Sequence, residues 1–434
     1  MKKSFTILIV FMNSLAIAQP GNFQVDALVT PKMPQKILTV GGTGADVQGF
    51  TNRAIQFAID AVARQGGTVK LTSGTFDIMS PVHLRSNVNL TGSGRETILR
   101  KTDGVQTHFI VDADYGELRL TVEDPVGFLP GMRVQISDKD NNSCWDISTA
   151  LITEIRENVI YIDSYLIRDY RADRNGLISN ASSVIEVVNA ENINISNLTV
   201  DGNKEKNFMM DGCNGAGIYI FKSKNVSVDS AWVKDFNGEG ISWQITEDVT
   251  VKNSEVSGSG DIGMHPGTGS PLTIIENNVV HDNKVDGLFI CWRVHHSLVK
   301  GNQFYNNGRF GICTGHKDTD VWFEGNHVYS NGSDGINLRG ENQGNAPHRN
   351  TFVNNLIENN GTRSGGYGIS INSPATDVIL KNNIIRDTGP GTQKAAIYIY
   401  RNGTKPQLEN NTITGSGQKD LVMETTNSQP GKSR

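Results

Sequence analysis

Six glycines recur at an almost constant spacing from the middle of the sequence onward. They are Gly217, Gly240, Gly263, Gly287, Gly311 and Gly335, at intervals of 23, 23, 24, 24 and 24 residues. A fixed period of this size is typical of a solenoid, in which each repeat forms one coil that stacks on the next. A parallel series of asparagines keeps the same spacing and, after short insertions, continues it: Asn278, Asn302, Asn326, Asn355, Asn383 and Asn411.

Each period contains three short strands and no helical pattern. Ile218-Tyr219-Ile220 shows the apolar alternation that follows each glycine, a β-branched stretch such as 249–251 comes next, and Asn302-Gln303-Phe304 shows the third strand. This pattern predicts an all-β fold, a right-handed parallel β-helix of about ten coils. The repeated asparagines are expected to stack and to hydrogen-bond one another at one turn.

Residues 1–18 have the features of a secretory signal peptide. Lys2 and Lys3 precede the apolar run Ile7–Met12, and cleavage is expected after Ala18, which predicts a secreted or periplasmic protein. The apolar run is too short to cross a bilayer, so we expect no membrane insertion. Removal of both lysines changes the formal net charge from −5 to −7, which gives no basic surface for nucleic acid. An anionic substrate would therefore need locally placed cations.

Four further segments follow the signal peptide. Residues 19–104 are expected to cap the solenoid and form its first coils, with an amphipathic helix over Thr51–Arg64. Residues 105–183 break the period and are interpreted as a β-rich excursion that could wall a cleft, and 184–417 as the main coils. Residues 418–434 are interpreted as a polar tail. The apolar stripe of the predicted helix consists of Ile55, Ala58, Ile59 and Val62.

The spacing of the four cysteines indicates neither a clear set of disulfides nor a clear metal site. Cys291 and Cys313 fall on adjacent coils, but their offsets from the coil glycines differ, so a disulfide between them is left open and not favoured. The Cys313–His316 spacing beside Cys291 and His295 suggests zinc, yet paired CxxC or HxxxH spacing is missing, and we predict no metal site.

The segment GADVQGFTNRAIQFAIDAVARQGGTVKLTSGTFDI (44–78) closely resembles the N-terminal segment of the pectate-lyase-like superfamily of β-helix proteins. The resemblance implies the fold and a carbohydrate-active protein, but the superfamily includes lyases, hydrolases, uronate epimerases and phage-type binding proteins. The polygalacturonase motifs are absent, and Gly263-Met264-His265-Pro266 is the nearest match to the Asp-Pro-His-Asp pattern of mannuronan epimerases. The carboxylate cluster with which pectate lyases hold calcium is also missing, so no cofactor is carried over.

Polar clusters follow the glycines of four successive coils, in the strings HPGTGS, CWRVHH and GHKDTD and in Arg-Gly-Glu at 339–341. The three strings resemble a bacterial subgroup similar to enzymes acting on uronate-containing saccharides. In these strands the second and fourth residues after the glycine should point outward, and coils are about 4.8 Å apart. We therefore predict one outward strip. Its proposed catalytic residues are His265, Arg293, His316, Lys317 and Arg339, and its substrate-binding residues are Tyr219, Trp292, His295, Asp318, Asn337 and Glu341.

These residue types favour a carbon–oxygen lyase acting on an acidic, uronate-containing glycan. Arginines would clamp the carboxylate, and His265 and His316 would exchange protons with C5 and the leaving oxygen as a pair, with one histidine kept neutral by nearby cations. An oligosaccharide dehydratase would use the same chemistry. A glycoside hydrolase would need two carboxylates, from Asp261, Asp318 or Glu341. A non-catalytic glycan-binding β-helix is the remaining alternative.

Overall fold

The computed structural model of the chain describes residues 36–389, 391–415 and 419–424. The predicted signal peptide, the rest of 19–35 and most of the predicted tail lie outside these ranges. The first coils contain α1 (Asn52–Ala63) and seven strands: β1 (Lys36–Gly41), β2 (Val47–Gln48), β3 (Gly67–Leu71), β4 (Gly74–Ile78), β5 (Val82–His83), β6 (Val88–Thr91) and β7 (Thr97–Lys101).

The helix α1 has the stripe and the limits that the sequence predicts. The Thr51 hydroxyl accepts a hydrogen bond from the Ala54 N–H at 3.3 Å and so caps the helix N-terminus. The four predicted stripe residues are all buried against the first coils. Within the described ranges, no helix has the length and apolar character that a membrane crossing requires.

Residues 105–183, set apart by their broken period, contain six antiparallel strands with a hydrophobic core of their own. The strands pair in the order β8, β13, β10, β11, β12 and β9. Their bounds are β8 (Gln106–His108), β9 (Arg119–Thr121), β10 (Arg133–Ser137), β11 (Ser148–Arg156), β12 (Val159–Ile162) and β13 (Leu177–Ser179).

The main coils follow as parallel strands, three to a coil in the regular part. Their bounds are β14 (Ile185–Val188), β15 (Glu191–Asp201), β16 (Ala216–Phe221), β17 (Lys224–Lys234), β18 (Glu239–Gln244), β19 (Glu247–Lys252), β20 (Glu255–Ser257), β21 (Met264–Thr268), β22 (Ile274–Glu276), β23 (Val279–His281), β24 (Leu288–Phe289), β25 (Cys291–Trp292), β26 (His295–Lys300), β27 (Gln303–Tyr305), β28 (Ile312–Thr314), β29 (Thr319–Glu324), β30 (His327–Tyr329), β31 (Ile336–Leu338), β32 (Thr351–Val353), β33 (Leu356–Glu358), β34 (Gly366–Ile371), β35 (Ile379–Lys381), β36 (Ile384–Asp387), β37 (Gln393–Ile399), β38 (Gln407–Glu409), β39 (Thr412–Gly415) and β40 (Lys419–Met423).

The last strand corrects one expectation. Residues 419–423 were expected in a polar tail, but β40 pairs in parallel with β37, with Ile397 opposite Leu421 and Ile399 opposite Met423. The alternation of Leu421 and Met423 continues the apolar face of the coil above, which is why the chain adds one more strand here.

The predicted glycine column is confirmed. A Cβ atom added to Gly263 would lie 2.7 Å from the carbonyl oxygen of Gly287, and one added to Gly287 would lie 2.7 Å from that of Gly311. The same contact recurs at the other coil glycines, so a side chain at any of them would collide with the next coil. The glycine period thus reflects close stacking of backbones.

The asparagine series forms the predicted ladder. The backbone N–H and the side-chain Nδ2 of Asn302 both donate to Oδ1 of Asn326, at 3.0 Å each, and Asn326 donates in the same way to Asn355. A second ladder, which the sequence analysis did not identify, runs through Asn283, Asn307, Asn331 and Asn360.

One sheet carries the outward residues discussed below, and we call it the front sheet. Its main path joins eleven strands from successive coils: β5, β14, β16, β18, β21, β24, β28, β31, β34, β37 and β40, with β25 paired to β21. Strand register aligns one outward side chain per coil in a line that we call the front column. Its members are His83, Glu186, Tyr219, Ser242, His265, Phe289, Cys313, Asn337, Ser370, Tyr398 and Val422.

A loop covers the middle of the front column. This covering loop, residues 202–215, connects β15 to β16. The Ser242 hydroxyl donates to its Gly212 carbonyl at 2.8 Å, and the Tyr219 hydroxyl donates to its Cys213 carbonyl at 2.6 Å. Side chains that the repeat pattern directs outward are therefore buried where the loop crosses them.

Candidate active site

A buried ion pair links His265 of the front column to Glu239 on the neighbouring coil. Nδ1 of His265, in β21, lies 2.8 Å from Oε1 of Glu239, in β18, and Nε2 of His265 lies 3.3 Å from the Cys291 carbonyl oxygen. Burial opposes the charged imidazolium, but the Glu239 carboxylate raises the pKa of His265 well above its ordinary value. A Cβ at position 212 would overlap the Glu239 carboxylate, so the glycine leaves room for the ion pair as it stands.

The expectation that His265 is accessible to exchange protons with a substrate is therefore wrong. Its side chain does leave the coil on the outward face, but it is only 6% exposed. The covering loop packs on its partner Glu239, and the Phe289 ring lies edge-on to the imidazole with centroids 5.2 Å apart. With both ring nitrogens bonded to protein groups, His265 is a structural cation in this conformation. It cannot act as the free base.

Tyr219 does not fit the predicted role either. Its ring is 5% exposed, its hydroxyl is bonded to the covering loop, and burial raises the pKa of Tyr219 well above its ordinary value. Asn337 is buried as well, where its Nδ2 donates to the Ser370 hydroxyl at 2.7 Å. Both side chains support neighbouring strands, although Asn337 also borders a cavity described below.

Asp318 was predicted to bind substrate, and the structure contradicts this. It is fully buried, and its carboxylate accepts hydrogen bonds from the N–H groups of Gly315 at 2.8 Å and Val294 at 3.1 Å. Burial raises the pKa of Asp318 to about 6, and Nη2 of Arg339 lies 3.9 Å away. Asp318 therefore shapes the turn after β28 and is inaccessible to a glycan.

Arg339 is half-buried beside this turn. Its guanidinium lies over the Phe289 ring, with Cζ 4.5 Å from the ring centroid, and packs so closely on Gly315 that an added Cβ there would be 2.4 Å from Nε. The glycine thus makes room for the guanidinium. Arg339 is held in place by these contacts.

Five predicted residues meet at the ends of β25, β28 and β31, and we call them the rim cluster: Trp292, Arg293, His316, Lys317 and Glu341. Nδ1 of His316 lies 3.3 Å from Oε2 of Glu341, and the Trp292 ring lies against the imidazole with centroids 4.6 Å apart. Arg293 donates its N–H to the His316 carbonyl at 2.9 Å, so these coils are adjacent. The Arg293 and Lys317 side chains are exposed, and Trp292 is 46% exposed.

His295 lies outside this cluster. It opens β26, which belongs to the next sheet around the coil, and its Nδ1 is 2.8 Å from Nδ1 of His296. His295 was predicted for the strip because the strand alternation was continued past Arg293. The backbone turns at Arg293, where φ is 61°, so the alternation ends there and the prediction fails.

Two cavities contain residues discussed above. One, of about 380 Å³, lies beside Arg339 and is lined also by Asn337, Lys394, Tyr367 and Tyr400. It places two cations and two phenol groups around a space of a size that could hold a sugar ring. Lys394 and both tyrosines were not predicted, because the predicted strip ends with the coil at Gly335 and these three residues lie on the two coils that follow.

The other cavity, of about 420 Å³, lies between the excursion and the covering loop. Gln135 and Ser137 of β10 line one side, and Met209 and Asp211 of the loop line the other. Asp261 also borders it, and burial, with the carboxylates of Glu239 and Asp286, raises the pKa of Asp261 to about 6. The excursion thus forms a cavity wall here.

Glu239 was also not identified from the sequence. It directly precedes Gly240, and Asp286 and Asp334 precede Gly287 and Gly335 in the same way. An acidic residue before a coil glycine is therefore a recurring signal. The Asp286 carboxylate accepts a hydrogen bond from the backbone N–H of Phe310 at 3.1 Å and so has a structural role. An acidic residue before a coil glycine therefore does not by itself distinguish Glu239 from structural carboxylates.

Comparison with known proteins agrees with this architecture. A family model described as right handed beta helix region matches residues 178–357 and 346–430. These matches cover more than half of the chain, which therefore belongs to the right-handed β-helix family. No curated protein sequence matches the chain.

Several solved structures are similar in fold. The A-modules of the mannuronan C-5 epimerases AlgE4 and AlgE6 from Azotobacter vinelandii superpose with TM-scores of 0.56 and 0.55, each at 18% identity over 88% of this chain and 96% of theirs. The Dettilon tailspike protein gp208 superposes with a TM-score of 0.50 at 12% identity, over 85% of this chain and 64% of its own. These likenesses establish the fold.

Proposed function

We propose that the protein is an exported enzyme that acts on a polysaccharide or oligosaccharide by removing the C5 proton of a uronate residue. Elimination of the C4 substituent follows, which makes the protein a carbon–oxygen lyase. One observation carries the proposal: His316 pairs with Glu341 just past the ends of the front-sheet strands, where Lys317 follows it in sequence and the Arg293 N–H donates to its carbonyl.

The pair has the arrangement of a base with its orienting group. When Nδ1 of His316 carries the proton, it donates to the Glu341 carboxylate, and Nε2 keeps its lone pair for the substrate. Trp292 holds the imidazole plane and offers its exposed ring as a surface for a sugar. His316 is therefore the proposed base. His265 has a separate, structural role, because it links β18 and β25 through Glu239 and the Cys291 carbonyl.

The reaction balances with these groups. Nε2 of His316 takes the C5 proton, the C–H electrons form the C4–C5 double bond, and the C4–O bond breaks. The exposed Lys317 ammonium gives a proton to the leaving oxygen. Arg293 and Arg339 hold the carboxylate and stabilise the charge that develops on it as C5 is deprotonated.

A second candidate is C5 epimerisation, in which the proton returns to the opposite face and no bond to C4 breaks. The fold likeness to the mannuronan C-5 epimerase modules, over nearly their whole length, favours considering it. Both reactions begin with the same proton abstraction, so both are compatible with the rim cluster.

One experiment in deuterated water separates the outcomes on a panel of mannuronate, guluronate, galacturonate and glycosaminoglycan polymers and oligomers. The lyase proposal predicts near-ultraviolet absorbance from the conjugated double bond, with chain cleavage. A dehydratase would give absorbance and loss of water without cleavage, and an epimerase would give C5 deuterium without absorbance. New reducing ends without absorbance would indicate a hydrolase, and no change in any glycan would indicate a binding protein. Each of the last three results would contradict the lyase.

A further inference from the structure

Cys144 and Cys213 lie side by side although 69 residues separate them in sequence. Cys144 begins a 3₁₀ turn in the excursion, and Cys213 is in the covering loop. Their Sγ atoms are 2.6 Å apart. The coil spacing pointed to Cys291 and Cys313 instead. It could not indicate the Cys144–Cys213 contact, because this contact joins two segments outside the repeats.

The surrounding hydrogen bonds fix both backbones at this contact. Nδ2 of Asn214 donates to the Cys144 carbonyl at 2.5 Å, and the Tyr219 hydroxyl donates to the Cys213 carbonyl at 2.6 Å. The Cys213 N–H in turn donates to Oδ1 of Asp211 at 2.9 Å. Each sulfur is therefore placed by bonds that do not involve the other.

A metal ion fits this group poorly. Asp211 brings a carboxylate oxygen within 4.8 Å of both sulfurs, which makes three candidate ligands. Tetrahedral zinc with Zn–S bonds of about 2.3 Å would hold two thiolates roughly 3.8 Å apart. The observed separation of 2.6 Å is too short for that geometry. It is much nearer to a disulfide bond length of about 2.05 Å.

We propose that Cys144 and Cys213 form a disulfide that ties the excursion to the covering loop. In thiol–disulfide exchange, the half-buried Cys144 attacks a small-molecule disulfide such as oxidised glutathione and releases one thiol. Cys213 then displaces the second thiol and completes the protein disulfide. The protein loses two protons and two electrons, and the small-molecule disulfide takes them up to become two thiols.

The bond joins the two walls of the 420 Å³ cavity. Asn142 and Ile147 flank Cys144 on one wall, while Met209 and Asp211 lie on the loop wall beside Cys213. The same loop packs its Gly212 on the carboxylate of Glu239. Oxidation would therefore fix the two cavity walls to each other and fix the covering loop against Glu239. Reduction would remove the covalent link between the excursion and the loop.

The test is peptide mapping of the full chain after incubation with oxidised or reduced glutathione, followed by alkylation of the remaining thiols. We expect a cross-linked peptide with Cys144 and Cys213 only in the oxidised sample, with Cys291 and Cys313 not cross-linked. The Cys291→Ser variant should keep the cross-link, and Cys144→Ser should lose it. The oxidised wild-type protein should also unfold at a higher temperature than the reduced one, a difference that Cys144→Ser should abolish.

Three results would overturn the proposal. One is full alkylation of Cys144 and Cys213 after oxidation, and another is a separate glutathione adduct on each. The third is zinc that stays bound to the wild-type chain through dialysis and is released by Cys144→Ser. The wild-type map needs no variant, so the proposal remains testable even where a substitution prevents folding, and it does not depend on the proposed activity.

Discussion

The imidazole of His265 and the carboxylate of Glu239 form an ion pair, 2.8 Å from Nδ1 to Oε1, beneath the covering loop of the β-helix. Glu239 is 3% exposed and His265 is 6% exposed, so neither charge is solvated by bulk water. Removing one partner leaves the other as an uncompensated buried charge or forces a change of protonation.

Glu239→Gln should accordingly destabilise the protein by about 3–5 kcal/mol near neutral pH. Because the folded-state pKa of His265 is raised, the pair's contribution is complete below the ordinary histidine value and is lost as the pH rises through the raised pKa. The difference in unfolding free energy between wild type and variant should thus shrink toward alkaline pH. Denaturant titrations over a pH series would measure it, and a difference that stays constant into the alkaline range would show that the pair is uncharged.

Ionisation of Asp261 should destabilise the folded protein, whereas the Glu239–His265 ion pair stabilises it. Its pKa is raised to about 6 by burial and by nearby carboxylates, so stability present below its unfolded value of about 3.9 is lost as the pH rises through 6. Asp261→Asn should remove that loss. The gain in unfolding free energy over wild type should grow by about 1–2 kcal/mol between pH 4 and 6 and then level off. No growth across this interval would mean that Asp261 is ordinarily solvated.

Arg293 and Arg339 should respond differently to truncation. Arg293→Ala removes an exposed side chain and should lower activity while the melting temperature stays within a degree or two of wild type. Arg339→Ala leaves the fully buried Asp318 without its nearest cation, so it should lower both activity and melting temperature. The exposed Arg53 on α1 provides a matched control, and Arg53→Ala should change neither. Normal turnover in both Arg293→Ala and Arg339→Ala would remove these arginines from the carboxylate site.

The asparagine ladder should be sensitive to position. Asn326→Ala removes a buried amide that accepts two bonds from Asn302 and donates to both Asn355 and the Val299 carbonyl. Unsatisfied N–H groups on Asn302 should then cost about 2–4 kcal/mol. Asn411→Ala, at the half-buried end of the ladder, should cost clearly less, which thermal unfolding would show. Equal losses at the two positions would argue that the ladder bonds contribute little.

The repeats were predictable because each coil repeats the same local contacts. A glycine recurs at the position of Gly287 because a Cβ added there would collide with the next coil. An asparagine recurs at the position of Asn302 because its side chain makes the same hydrogen bonds to the turn of the neighbouring coil. Such rules act between neighbouring repeats and are therefore visible as spacing. The stripe of α1 is likewise a local pattern.

The site was only partly predictable, because non-repeating segments decide which outward residues stay accessible. Tyr219 has outward register, yet the covering loop buries it, and His265 is buried against Glu239 and Phe289. The period does not predict where residues 202–215 will pack. Asp318 resembled an exposed acid but closes a turn by accepting two backbone N–H groups. His316 and Glu341 were both selected from the sequence, but both follow the ends of their strands, where the period does not determine which side chains will pair.

Glu341 tests the orienting role within that pair. Glu341→Gln keeps the size of the side chain but removes the charge that favours the Nδ1–H tautomer of His316, so turnover should fall by about tenfold or more. Because this substitution acts through His316, it should have little further effect in a His316→Gln background. Independent, additive losses would contradict the pairing.

The central claim is that His316 removes the C5 proton. It is tested most directly by the rate of double-bond formation by His316→Gln, on the glycan that the wild-type enzyme cleaves, with the exposed neighbour variant His296→Gln as control. A general base is worth about 10²–10⁴-fold in rate, so His316→Gln should lose at least a hundredfold in turnover at an unchanged melting temperature. His296→Gln should remain near wild type. A His316→Gln enzyme that keeps its turnover would show that the base lies elsewhere.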